Sequence, residues 1–243
     1  MKPLSLLRRV LARLYRELAV RAGFDPLTGT PIRRRADLKR YGNRGAEWTI
    51  PTALLSSDSV VYCVGCGEDI SFDLALIAEF GCEVHGFDPT PRAIQHVERV
   101  AKDQPRYVFH AVGLWSERKL MRFFAPVDPR HVSHSLLNVQ KTESFFEAQV
   151  ERLAEIQREL GHTRVGLLKL DIEGAEYEVL RTLEEDSIFP QILCVEFDEF
   201  FHPLDAAFKT RIRDRVQRIL SRGYELVHTS GNANYTFART LNE

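Results

Sequence analysis

Short uninterrupted apolar runs alternate along this chain with segments whose apolar residues recur every three or four positions. That alternation predicts strands of a buried parallel sheet joined by helices, an α/β fold. Val60, Val61, Tyr62 and Val64 make the first run, which stops at Gly65 and Gly67. A helix with Ile70, Leu74, Ile77 and Ala78 on one stripe follows and ends at Phe80 and Gly81. A second strand, 83–87, delivers Asp88. The pattern continues with a helix over 91–102, a strand over 107–112, an extra strand over 120–124, and a long helix over 142–160. The inner side of that long helix would carry Phe145, Phe146, Val150, Leu153 and Ile156. A strand over 165–170, interrupted only by Lys169, precedes a helix that buries Ala175, Val179, Leu180 and Leu183, and a further strand covers 192–195.

The glycine turn after the first strand has a chemical reading. Gly65 and Gly67, flanking Cys66, lack a Cβ, so backbone can approach a ligand and the amides opening the next helix can point at it. Asp88, followed by Pro89, stands 23 positions after Gly65, near the roughly 20-residue offset at which an acid binds ribose hydroxyls. A dinucleotide fingerprint needs a third glycine at position 70, where this chain has Ile70. Glu68 and Asp69 beside the helix start repel a diphosphate and suit an ammonium. S-adenosyl-L-methionine is therefore favoured over NAD. The segment 109–113, with Val112 and Gly113 at its exit, lies where an adenine ring is held in such architectures. An insertion at about 114–164 is placed to cover the site and shape an acceptor pocket.

The second chemical segment is Asp171-Ile172-Glu173-Gly174, two carboxylates where a strand gives way to a helix. Glu196 and Asp198 end the next strand and His202 follows. Asp171 and Glu173 are the first candidates for a general base or for orienting an acceptor, with Glu196 and His202 next and His134 within reach from the insertion. Acids at a helix start are also stabilising in their own right. No metal is assigned. Cys63 and Cys66 form a C-x-x-C without a second pair, and the spacing of Asp171, Glu196 and His202 is too loose to define an ion site.

Composition adds boundaries. The 243 residues suffice for one domain and a short extension, and no stretch of 18 apolar residues exists. The N-terminus lacks the apolar core and cleavage site of a secretory signal, and the four cysteines fall in or beside predicted buried strands, so a cytoplasmic protein with reduced thiols is expected. Residues 1–44 hold 12 Lys/Arg against 3 acids, and the remainder 21 against 31. The chain thus divides into a basic helical extension, 1–44, and a domain over 45–243. In the extension Leu7, Leu11, Leu14 and Leu18 recur at helical spacing, with Arg8, Arg9, Arg13 and Arg16 largely off that stripe. Docking on the acidic body or self-association is the first expectation for this helix, and peripheral membrane contact the second. Arg33, Arg34 and Arg35 are not interleaved with aromatics, so no nucleic acid partner is expected.

The segments LLKLDIEGAEYEVL, GEDISFDLALIAEFGCEVHGFDPTP and CVEFDEF resemble the FkbM-type methyltransferases, over roughly 48–239. The resemblance implies a class I, Rossmann-like three-layer sandwich with a seven-stranded, mostly parallel sheet whose last strand is antiparallel. The pair 224–228 and 234–238 would supply its closing hairpin. It also implies O-methylation of a hydroxyl on a sugar, natural product or other small molecule, and hence a small-molecule or glycan acceptor. An NAD-type oxidoreductase and a non-catalytic cofactor-binding adaptor are the alternatives.

Overall fold

The apolar runs pair side by side in a computed structural model that describes residues 3–127, 134–138, 141–230 and 233–239. Helix α1 (Pro3–Ala22) leads into a hairpin of β1 (Leu38–Tyr41) and β2 (Trp48–Pro51). The alternation then gives β3 (Val60–Val64), α2 (Ser71–Phe80), β4 (Glu83–Phe87), α3 (Pro91–Val100) and β5 (Tyr107–His110). The insertion holds β6 (Gly113–Leu114), β7 (Lys119–Phe124), β8 (Phe145–Glu151) and α4 (Leu153–Glu159). It is followed by β9 (Leu167–Leu170), α5 (Glu176–Glu185), β10 (Ile192–Glu196), α6 (Phe208–Ser221), β11 (Tyr224–Thr229) and β12 (Asn234–Arg239).

Seven strands form one sheet in the order β11-β12-β10-β9-β3-β4-β5. Neighbours from β10 to β5 are parallel, whereas β12 runs antiparallel to both β10 and β11. This is the sheet the resemblance implied, seven-stranded and mostly parallel with its last strand antiparallel. Successive residues of β3 serve opposite faces, as the two-residue period requires. Tyr62 and Val64 pack with Leu180, Ile212 and Val216 of α5 and α6, while Val61 and Cys63 pack with Leu76, Val97 and the Trp48 and Ile50 of the hairpin. Both faces are therefore covered, and the strands read as continuous apolar runs.

Three local expectations are corrected. The long helix over 142–160 is instead β8 followed by the two-turn α4. Phe146, Ala148 and Val150 share one face with period two, β8 pairs antiparallel with β7, and Phe146 stacks on its cross-strand partner Phe123 at 5.2 Å; the cross-strand pairs outweigh a helical reading of the same apolar residues. On α2 the buried side is Phe72, Asp73, Leu76 and Ile77, because the helix begins at Ser71 and Ile70 is the residue before it. The strand expected over 107–112 stops at His110, where the Val112 amide turns back to the His110 carbonyl at 2.8 Å.

Leu11, Leu14 and Leu18 of α1 are exposed, which corrects the expectation that this stripe docks on the chain's own body. The helix meets the body through buried Ala19 and through Arg16 over the Phe200 ring. The side chains of Leu7, Arg8 and Arg9 lie outside the described residues. The division between 44 and 45 falls in the turn of the β1–β2 hairpin. Upstream of that turn, the Arg33 amide donates to the Leu226 carbonyl at 2.7 Å. Asp25 is fully buried and accepts bonds from the Thr28 amide at 2.9 Å, the Thr28 hydroxyl at 2.6 Å and the Tyr235 hydroxyl at 3.0 Å. Among the described residues no helix is long and apolar enough to cross a membrane.

Asp25→Ala removes a buried acceptor shared between the extension and β12 and leaves its donors unpaired, so unfolding free energy should fall by about 2–3 kcal/mol. Urea denaturation followed by tryptophan fluorescence and circular dichroism checks this. The whole domain transition should move, not an early partial one.

Candidate active site

The strand order reverses between β3 and β9, so their carboxyl ends open a crevice where α/β sheets hold ligands. Two strand ends meet there closely. The Asp171 amide donates to the Val64 carbonyl at 3.1 Å and the Gly65 amide to the Phe87 carbonyl at 2.9 Å. Gly65 has φ 86°, and a Cβ on it would run into the backbone carbonyl of Asp171, so only glycine serves this position. Lys169, the one charged residue within β9, is 7% exposed. Its Nζ donates to the Gly65 carbonyl at 2.7 Å and lies 3.3 Å from Asp171 Oδ2. Burial favours loss of its proton, but the carboxylates of Asp171 and Asp73 outweigh that and push its pKa up.

Asp88 organises the other half of the turn. One carboxylate oxygen accepts from the amides of Cys66 at 3.0 Å and Gly67 at 2.9 Å, and the other from the Thr90 amide at 2.8 Å. Ordinary hydrogen bonds of this kind fix the loop and leave one carboxylate lone pair, on Oδ1, over for a ligand. Glu68 lines the crevice and pairs with Arg92 at 2.6 Å. Asp69 accepts from the Ser71 amide at 2.8 Å and the Asn43 side-chain amide at 3.1 Å, binding the β1–β2 turn to the start of α2.

Across the crevice, Glu173 sits at φ 53° and Gly174 at φ 103°. A non-glycine residue in the left-handed region is held there by its surroundings. Here the Gly174 amide donates to Glu176 Oε1 at 2.9 Å, and the Ser135 hydroxyl donates to the Glu173 carbonyl. Glu176 is fully buried, with its second carboxyl oxygen unpartnered, and burial pushes its pKa up to about 8. The last acid of the Asp171–Glu176 segment is thus a neutral brace for the turn. Glu196 stands behind Asp171 and hydrogen-bonds with it; burial, and then the Asp171 charge, raise its pKa well above the usual carboxylate range. Burial raises Asp198 as well.

The crevice wall brings together Gly65, Cys66, Gly67, Glu68, Asp88, Pro89, Gly113, Asp171 and Glu173, nine of the positions singled out in the sequence. Three do not reach it. Val112 packs partly buried against the core, because the chain turns inward after His110. Glu196 backs Asp171 without lining the wall, and His202 lies half-exposed 4.0 Å from Asp198, beyond the turn that follows β10. The insertion does cover the site, through Leu114, Phe123, His134 and Leu136. Ser133 of the same loop lies outside the described residues. Lys169, Asp73 and Thr90 are polar wall residues that pattern reading passed over. A lysine inside an apolar strand carries a usable signal, since buried lysines require partners.

Gly65→Ala should lose cofactor binding by at least about 100-fold, since its Cβ forces apart the strand ends that build the turn; calorimetry on the folded variant checks it. Glu176 carries a proton in the folded chain from about pH 4.5 to 8 that the unfolded chain has lost. Its stabilising contribution is therefore complete below about pH 4.5 and disappears as pH rises through 8, at up to roughly 1.4 kcal/mol per pH unit. Glu176→Gln should flatten that slope in denaturation curves taken between pH 5 and 8.

Two curated relatives, both probable methyltransferase-like protein 24, match over 142 residues or 58% of this chain: the Rattus norvegicus protein at 29% identity and the Homo sapiens protein at 28%. The chain spans about a third of their length, 33% and 32% respectively. Among solved structures, Aeropyrum pernix fibrillarin in complex with natively bound S-adenosyl-L-methionine is similar at 12% identity and a TM-score of 0.43, over 88% of this chain and 86% of that one. The Methanococcus jannaschii fibrillarin pre-rRNA processing protein gives 7% identity and 0.43, over 76% and 67%. The methyltransferase FkbM domain profile matches residues 61–226, from β3 into β11, and the chain belongs to that family.

Proposed function

We propose that this chain is an S-adenosylmethionine-dependent methyltransferase acting on a hydroxyl oxygen of a neutral small molecule or glycan. The observation that carries the reading is the make-up of one wall. Among the described residues lining the crevice, six are acidic (Glu68, Asp69, Asp73, Asp88, Asp171 and Glu173); Glu68 is paired with Arg92 and burial raises the pKa of Asp73, while the only Lys or Arg in the lining is Lys169, already committed to Gly65 and Asp171. Such a wall favours a cationic ligand and opposes a diphosphate or a phosphorylated acceptor. It therefore speaks against the dinucleotide alternative. The residues fit the cofactor. Gly65 lets the two strand ends meet, Gly67 lines the crevice in the left-handed region with no side chain to fill it, Asp88 keeps an acceptor site on Oδ1 for a ribose hydroxyl, and Pro89 and Gly113 line the same crevice.

S-adenosylmethionine, when bound, supplies an electrophilic methyl on a sulfonium whose positive charge is discharged on transfer. The chain's share of the work is to align the acceptor and exclude water. Asp171 takes the proton from the acceptor hydroxyl, with Lys169 and Glu196 fixing its orientation. Glu173, presented by the strained turn, orients the acceptor from the helix side. Phe123, Leu114 and Leu136 of the insertion form the dry wall over it.

Methyl transfer from labelled S-adenosylmethionine into cell extracts, with mass spectrometry of the product, tests the reading. Asp171→Asn should lower kcat by about 100- to 1000-fold and leave cofactor affinity within about threefold on calorimetry. Unchanged turnover in that variant removes Asp171 as the base, and binding of NAD without binding of S-adenosylmethionine overturns the reading as a whole.

A further inference from the structure

The amino ends of the strands, opposite the crevice, carry a second cluster of chemistry that methyl transfer does not use. Glu83 and His85 open β4, and His162 arrives from the segment that links α4 to β9. One carboxylate oxygen of Glu83 lies 2.6 Å from His85 Nε2 and 3.5 Å from His162 Nε2, and the three donor atoms all lie within 4.8 Å of one another. A zinc ion with bonds of 2.0–2.1 Å holds tetrahedral ligands roughly 3.3 Å apart, so closing this triad on an ion takes adjustments of an ångström or so.

The far nitrogens of both rings have partners. His162 Nδ1 faces the Tyr62 hydroxyl at 2.7 Å, and His85 Nδ1 faces His110 Nε2 at 2.9 Å. Metal-bound histidines almost always use the second nitrogen as a donor to such a group, which fixes tautomer and ring plane. With both Nε2 lone pairs facing Glu83, each Nδ1–H has an acceptor already in place. His85 is buried and its ring packs edge-on to that of His162 at 4.8 Å, while the Glu83 side chain is half-exposed and gives an ion a path from solvent.

We propose that Glu83, His85 and His162 form a site for a zinc-class divalent ion, with solvent as the fourth ligand. Two imidazoles and one carboxylate are the donor set such ions prefer. From Glu83 to Asp88 is five strand residues, about 16 Å, so the ion stands apart from the methyl-transfer crevice. Bound there, it ties the return of the insertion to the sheet.

The test uses the full chain, stripped with chelator and titrated with zinc chloride. One equivalent should bind, and zinc at about 100 times Kd should raise Tm by roughly 5–10 °C. Cobalt in place of zinc should give the visible bands of a low-coordinate site. Both effects should vanish in Glu83→Gln and His162→Ala, partly exposed positions whose variants are checked for folding by circular dichroism, and Tyr62→Phe should weaken zinc by about tenfold. Absence of binding, or uptake and Tm shift undiminished in His162→Ala, overturns the site and leaves an adventitious ion only.

Discussion

The molecule depends on one close approach, the carboxyl end of β3 against the carboxyl end of β9. At Gly65 the two backbones come so near that a single Cβ would meet the Asp171 carbonyl. The Lys169 ammonium binds the Gly65 carbonyl from beneath. That contact fixes the glycine turn, the turn presents its amides to Asp88, and Asp88 in turn fixes Thr90 ahead of α3. The crevice is the space left over when two parallel strands diverge into helices on opposite faces of the sheet.

Electrostatics at this edge follow from crowding acids around one buried cation. Lys169 stays protonated because Asp171 and Asp73 face it, and Glu196 keeps its proton because it is buried against Asp171. Glu176 keeps its own because burial leaves it nothing cationic to pair with. Similar side chains therefore have different tasks. Asp88 is a scaffold acceptor, Glu176 a neutral brace, and Asp171 the carboxylate offered to the crevice. Removing one member alters the others, since charges this close in a poorly solvated site do not act independently.

The parts outside the sheet divide between cover and attachment. The three-stranded piece β6-β8-β7 lays Leu114 and Phe123 over the crevice, and its return through His162 packs against β3 and β4 at the opposite edge. The basic extension is fastened at Asp25 and Arg33, yet α1 turns its apolar residues outward. Its charge excess and its exposed stripe occupy one element, separate from the acid-lined crevice.

The alternating framework and the two ends of the site were legible in the chain's pattern alone. Doubly buried parallel strands must be apolar throughout, glycine marks a turn too tight for a side chain, and Asp88 and Asp171 fall where strands stop. It also gave the buried face of α5, because a regular helix converts spacing directly into direction. Tertiary structure decided what spacing does not encode. Strand β8 was hidden because Phe145, Phe146 and Val150 suit either period, and only pairing with β7 selects one. Glu196 and Asp171 both end strands, but the packing between β9 and β10 turns one behind the other, away from the wall. Lys169 looked like an interruption in an apolar run until its partner, 104 positions earlier, came into contact. Local pattern fixes which residues are buried and where strands end; which buried charges meet depends on contacts between distant segments, and those exist only once the sheet has formed.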